Sequence, residues 1–374
     1  MRKNLLTRSI AVLSGVAMLT AVAACGDNTT AGTANTGDTA SGDAISGEFA
    51  GAGASSQQSA VEAWIAGYTA QNPEAQVSYD PSGSGAGVKT FLTGATAWAG
   101  SDAALSDDEV EQSKSVCADG TTAFDIPVYI SPIAVVFNLE GVSDQGEHIN
   151  MDATTIAQIF DGKITTWNDP AIADQNPDIE LPDTPITVVH RSDDSGTTQN
   201  FVSYLKDAAP DAWPYEVGET WPNEVGQGSK GTSGVISTVQ QANGTIGYAD
   251  FSQAGELGTV SVKVGETYTE ISTDAGSIAM DDSELAEVTG DNRVVVNINH
   301  TTTAEGAYPI LLVSYDVACP AYKDTDTAKF VKSWLTYVTS EDGQNTASQN
   351  AGSAPLPDSL VEEVTKSIDA IVTK

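Results

Sequence analysis

Ser195, at the end of His190-Arg191-Ser192-Asp193-Asp194-Ser195-Gly196-Thr197-Thr198, stands where a Val/Ile-rich run gives way to a helical pattern. A serine there caps the helix and leaves about four amide hydrogens free, with roughly half a positive charge from the helix dipole. Gly196 lets the backbone approach a ligand, and Arg191 adds a planar fork that grips two oxygens of an oxyanion. Asp193 is placed to orient that guanidinium from behind. Two other serines sit in similar strand–turn–helix settings. Ser55, in Ala54-Ser55-Ser56-Gln57-Gln58, has the S-x-x-Q spacing of a capping box before an amphipathic run from Val61. Ser84, in Pro81-Ser82-Gly83-Ser84-Gly85-Ala86-Gly87, precedes Val88, Phe91 and Leu92. A single start of this kind is most often a structural cap; three that converge would make an anion site. Asp102, in Gly100-Ser101-Asp102-Ala103, is a carboxylate in a small-residue turn, and Ser106 with Glu109 forms its own capping box, leaving Asp102 free.

Elements that can position these residues alternate along the chain. Gln76–Tyr79, Ile126–Phe137, Ile186–His190, Thr245–Tyr248 and Ile310–Asp316 read as strands. Val61, Trp64, Ile65 and Tyr68 fall at helical spacing, as do Phe201, Tyr204, Leu205 and Ala208, and Phe330, Trp334, Leu335 and Val338. The alternation predicts α/β architecture, with ligands gathered where strand ends meet helix starts. Two apolar, proline-containing segments, Phe124–Asn138 and Tyr308–Val313, read as connections crossing between lobes. The expected division is lobe 1 over 47–126, lobe 2 over 127–307, and a return to lobe 1 over 308–374.

The chain has 374 residues, and its 16 Lys and Arg against 51 Asp and Glu give a net charge of −35. Its first residues are basic, an apolar stretch runs from Ile10 to Ala24, and Val22-Ala23-Ala24-Cys25 resembles a bacterial lipobox. Residues 1–24 are therefore expected to be a lipoprotein signal peptide, with Cys25 lipidated and 25–46 a flexible tether. Removing 1–24 takes away Arg2, Lys3 and Arg8 and no acid, so −35 becomes −38. Such a surface excludes nucleic acid as a partner, because phosphate backbones need clustered cations. Two cysteines remain, Cys117 and Cys319, and in an exported chain they read as a disulfide, with two buried thiols as the alternative. Enzymatic readings find little support. His148, His190 and His300 lie outside any nucleophile-elbow context, Asp178, Glu180 and Asp183 read as a solvated loop, and no Walker motif occurs.

Gly51-Ala52-Gly53-Ala54-Ser55, Ser82-Gly83-Ser84-Gly85, Gly100-Ser101-Asp102, Arg191-x-Asp193-x-Ser195-Gly196-Thr197 and Leu356-Pro357-Asp358-Ser359 together resemble the phosphate-binding protein of bacterial phosphate ABC transporters. The order matches over nearly the whole mature chain. The resemblance implies a type II periplasmic-binding-protein fold, two α/β lobes joined by two crossover strands, with inorganic phosphate in the cleft. It places phosphate contacts at Ser55, the amide of Ser56, Ser84, Asp102, Arg191, Ser195, Gly196 and Thr197, with Asp193 holding Arg191. It implies neither a cofactor nor catalysis, and as partners the permease and ATPase of an importer, with the membrane reached through the lipid on Cys25. Arsenate, protonated like phosphate, is the alternative ligand, and a phosphate-ester hydrolase a more distant one. Two departures from the common family form stand out. Asp194 replaces a glycine, adding a carboxylate that must face solvent or a lysine, and Ser55-Ser56 stands where Thr-Phe is frequent.

Overall fold

The computed structural model describes residues 44–143 and 148–373. The signal segment 1–24, Cys25 and residues 26–43 of the tether lie outside the described residues. In the first lobe, β1 (Gly47–Gly53), α1 (Gln58–Gln71), β2 (Ala75–Asp80), α2 (Ser84–Leu92), β3 (Trp98–Ser101) and α3 (Asp107–Ser113) lead into β4 (Phe124–Asn138). The second lobe adds β5 (Ile149–Met151), α4 (Ala153–Phe160), α5 (Pro170–Ala173), β6 (Thr187–Arg191), α6 (Gly196–Ala208), β7 (Gln227–Ser229), α7 (Gly231–Gln241) and β8 (Thr245–Asp250). Then follow β9 (Gly258–Val264), β10 (Thr267–Thr269), α8 (Thr273–Asp281), β11 (Glu284–Leu285) and β12 (Val296–Asn297). The chain closes with β13 (Leu311–Ala318), α9 (Thr325–Val338), α10 (Glu341–Ala351) and α11 (Asp358–Asp369).

One strand belongs to both lobes. The main sheet runs β2-β1-β3-β13-β4-β8-β6-β7, with β9 also on β4. Along β4, Phe124–Pro132 pair with β13, and Ile133–Asn138 pair with β8. Fifteen residues, almost all buried, are therefore needed to carry the sheet across, which explains the unbroken apolar run. Residues 308–310 lie beside the same point, where the Ile133 amide donates to the Ile310 carbonyl. Residues 293–296 also contact β4 and β13. Arg293 Nε and Nη2 grip Asp125 of β4 at 2.6 and 2.9 Å, and the Val296 amide donates to Tyr315 Oη of β13.

Each lobe has its own aromatic centre. In lobe 1, Phe330 of α9 stacks on Phe49 of β1 with centroids 4.0 Å apart, and Tyr68, Trp98 and Trp334 surround the pair. In lobe 2, Tyr248 of β8 stacks on Phe201 of α6 at 4.4 Å, against Phe160 and Trp221. These packed centres hold the strand ends and helix starts that carry the polar residues.

Cys117 and Cys319 form a disulfide 202 residues apart in sequence, just after α3 and just after β13. In the chain-entropy account a loop of this size is worth on the order of 5 kcal/mol. Denatured, unreduced protein beginning after Cys25 should titrate no thiol, and Cys117→Ser should lose about 2–5 kcal/mol of stability. Two titratable thiols would contradict the bridge.

Candidate functional site

Asp102 follows β3 directly, and its side chain is the focus of the cleft. It is only 2% exposed. Three hydroxyls donate to it. Ser56 Oγ lies 2.7 Å from both carboxylate oxygens, Thr197 Oγ1 lies 2.7 Å from Oδ2, and Ser314 Oγ lies 2.5 Å from Oδ1. Its backbone amide donates to Ser84 Oγ, the first residue of α2. Thr197 belongs to α6, so this bond crosses from one lobe to the other. The approach is close: a Cβ on Gly196 would stand 2.6 Å from the backbone of Asp102 and Ala103. Any side chain there would prop the lobes apart.

Arg191 ends β6 and is 3% exposed. Its Nε and Nη2 meet Asp193 at 2.8 and 2.5 Å, a two-pronged pair, and Nη1 reaches Thr197 Oγ1 at 3.5 Å. Burial alone would raise the Asp193 carboxyl. The Arg191 guanidinium and the Gly231 amide outweigh that and hold it below the usual range. Tyr248 Oη accepts the Arg191 backbone N–H and pairs with Thr198, so the arginine is fixed at both ends. Ser195 caps α6 as expected, accepting from the Thr198 amide at 3.2 Å.

Ser55 behaves differently from its sequence pattern. No capping box forms, because Gln57 occupies the N-cap position without a side-chain bond and Gln58 turns to Glu62. The Ser55 hydroxyl instead spans the cleft, 3.1 Å from Thr232 Oγ1 and accepting from the Thr232 amide. Ser106 and Glu109 do make their capping box. Thr232 lies in the first turn of α7, a fourth helix start at the cleft that sequence reasoning missed. Its signal was present in Gly228-Ser229-Lys230-Gly231-Thr232, the same strand–Gly/Ser turn–helix pattern as the other three. Ser314 gave no signal, since it looks like any small residue in an apolar strand.

Of the anticipated residues, Ser56, Ser84, Gly196 and Thr197 meet Asp102 directly, Arg191 reaches Thr197 with Asp193 behind it, Ser55 reaches Thr232, and Ser195 caps the helix that carries Gly196 and Thr197. Asp194 turns elsewhere. Lys89 of α2 binds it at 2.7 Å across the lobes and Thr220 donates to it, which keeps its carboxyl below the ordinary range. Both partners are largely solvated, so this bridge contributes little. Nearby Glu219 is pushed up to about 7, first by burial and then by Glu109, Asp194 and Asp102. Of the histidines, His190 stacks on Trp221 and burial lowers its pKa, while His148 and His300 bond to Thr259 and the Pro309 carbonyl. Among the described residues no group of three or more His, Cys, Asp or Glu is placed to hold a metal.

Two lobes sharing a crossing strand, with four helix starts and a buried arginine facing their junction, define a periplasmic-type ligand-binding protein. A family model described as the PBP superfamily domain matches residues 34–342. The chain is 33% identical over 371 residues to phosphate-binding protein PstS 2 of Mycobacterium tuberculosis, covering 97% of this chain and 99% of the relative. It is 32% identical over 379 residues to PstS 3 of Mycobacterium leprae, covering 99% of this chain and 100% of that protein. The chain belongs to the PstS family of phosphate-binding proteins. In fold it resembles the solved high affinity periplasmic phosphate-binding protein PfluDING, with a TM-score of 0.69 at 20% identity, covering 86% of this chain and 93% of that one. A phosphate-binding protein from Stenotrophomonas maltophilia gives a TM-score of 0.62 at 20% identity, covering 86% of this chain and 94% of that one.

Three carboxyls, Glu219, Asp250 and Asp316, are each raised to about 7, chiefly by burial. In the folded state they keep a proton that the unfolded chain has already released, so stability falls as pH rises from about 4 to about 7. The thermal midpoint should be higher at about pH 5 than at about pH 8, and Glu219→Gln should narrow the gap. A midpoint that climbs over that range would contradict these assignments.

Proposed function

We propose that this chain captures inorganic phosphate outside the cytoplasmic membrane and delivers it to an ABC-type importer. The observation that carries the reading is the state of Asp102. A carboxylate offers about four acceptor sites, and here three hydroxyls supply three protons. Ser56, equidistant from both oxygens, serves one at a time. One acceptor site is left, in a cleft otherwise lined with donors. The complementary ligand is an oxyanion that itself carries a hydrogen.

Phosphate near neutral pH has that hydrogen. Its P–OH donates to Asp102, while its other oxygens accept from the hydroxyls of Ser55, Ser84 and Ser195, the amides of Ser56, Gly196 and Thr197, and Arg191. Asp193 holds the guanidinium in place. Sulfate has no proton to give, and would set a bare oxygen against a buried carboxylate. A hydrogen bond to a charged group is worth about 1.5–3 kcal/mol, so with the added repulsion discrimination of a thousandfold or more is within reach. Arsenate is protonated like phosphate and meets the same groups.

The two-lobed architecture is compatible with delivery. A ligand touching both lobes favours the closed form over the open one, and a permease that reads the closed form receives loaded protein. Lipid on Cys25, with 25–46 as tether, would keep the protein beside that permease and its ATPase. The disulfide fits an extracytoplasmic setting. The roles proposed for these residues are those of binding.

Asp102→Asn keeps the shape but gives the amide group a donor and only one acceptor oxygen. In competition binding with labelled phosphate, excess sulfate should displace it from this variant and not from the natural protein. Equal resistance to sulfate in both would remove the role given to Asp102.

A further inference from the structure

The start of α6 holds lobe 1 through more than the groups that face the cleft. One turn beyond Gly196, the side-chain amide of Asn200 lies between two carbonyls. Its Nδ2 donates to the Gly196 carbonyl of its own helix at 2.9 Å and to the Asp102 backbone carbonyl of the other lobe at 2.7 Å. A carbonyl only accepts, so the nitrogen must face both partners, and the two hydrogens of the amide are both used. The Asp102 carbonyl needs such a donor, because it stands just past Ser101, the last β3 residue paired with β13. Inside a helix alanine or leucine would be the better former, so an asparagine here answers to contacts and not to propensity. The close approach of the helix start at Gly196 is what brings it within reach.

This contact differs from the other bonds between the lobes. Thr197 meets the Asp102 carboxylate, and Ser55 meets Thr232, through hydroxyls at the cleft itself. Lys89 and Asp194 meet where both are solvated. Asn200 is half-buried and binds the backbone of Asp102, leaving the carboxylate untouched. The bond exists only while the lobes are together; when they part, both groups turn to water. Its free energy therefore adds to closure alone, whatever anion lies in the cleft. A neutral hydrogen bond of this kind is worth about fivefold in such an equilibrium.

We propose that Asn200 is a positioning residue that latches α6 to the backbone of Asp102, holding the lobes together and slowing the release of phosphate, with no part in the choice between anions. This rests on the phosphate-binding reading above. Capture takes place with the lobes apart, before the bond forms, so the association rate does not depend on it. Release must break it, and the effect of losing it falls on the dissociation rate.

Two variants separate the bond across the lobes from the bond within the helix. Asn200→Leu keeps the size and offers no donor. Asn200→Ser has a single hydrogen, which serves the Gly196 carbonyl four residues back, and its side chain is too short to reach Asp102 as well. Each variant is loaded with labelled phosphate and chased with an excess of unlabelled phosphate. Release should be about fivefold faster than from the natural protein in both, with association changed by less than about twofold. Sulfate should compete no better than it does with the natural protein. Should the leucine variant fold poorly, the serine variant carries the test, since it keeps the helix's own bond. A natural release rate in Asn200→Ser, or a loss confined to association, would overturn the proposal. So would stronger competition by sulfate, which would place Asn200 with Asp102 in selection. Failure of the natural protein to bind phosphate would instead overturn the reading on which it rests.

Discussion

The carboxylate of Asp102 is held out of water by three neutral hydroxyls drawn from three separated parts of the chain, and the rest of the cleft is arranged around that contact. A buried charge without partners would neutralise itself or unfold the site. Ser56, Thr197 and Ser314 supply its partners, but each must come from an element placed by a different long-range packing decision. Thr197 requires the second lobe to close on the first. Ser314 requires β13 to return and lie beside β3, where Tyr315 opposes Ser101 and so brings Ser314 opposite Asp102. The crossing strand β4 and the two aromatic centres are what make both possible.

An anion site in a chain of net charge −35 faces a field that opposes it. The local formal charges do not help, for Arg191 is matched by Asp193 and Asp102 adds another negative charge. The attraction must come from neutral donors: the starts of α1, α2, α6 and α7, each with free amides and the positive end of a helix dipole. Such donors are fixed in direction and carry no counter-charge. In the proposed reading they hold the anion, and the choice among anions falls to Asp102, the group that accepts. The Lys89–Asp194 bridge at the rim is compatible with this division. It answers the extra carboxylate locally and leaves the centre unchanged.

Much of this was legible in the sequence wherever the signal was local. Ser195 before Gly196, the Arg191–Asp193 spacing, the Ser106–Glu109 box and the uninterrupted Phe124–Asn138 run all have short-range physical meanings, and each appears as read. Ser55 misled because its S-x-x-Q spacing is a true capping pattern that tertiary contact overrode; its hydroxyl gains more from Thr232 across the cleft. β1 was not anticipated, since Gly47–Gly53 is too rich in glycine and alanine to resemble a strand until α2 and Trp98 pack against it. Ser314 and Gln57 could not be found at all by periodicity. Their importance lies in pairings over some 200 residues or more of chain, and a lone serine in an apolar strand carries no local mark of them.

The most direct test is a crystal structure of the protein grown with phosphate. The account predicts one tetrahedral anion between the lobes, with one oxygen at hydrogen-bond distance from an Asp102 carboxylate oxygen and others on Arg191 and the starts of α2 and α6. An anion bound elsewhere, or one in the cleft whose oxygens all avoid Asp102, would contradict it.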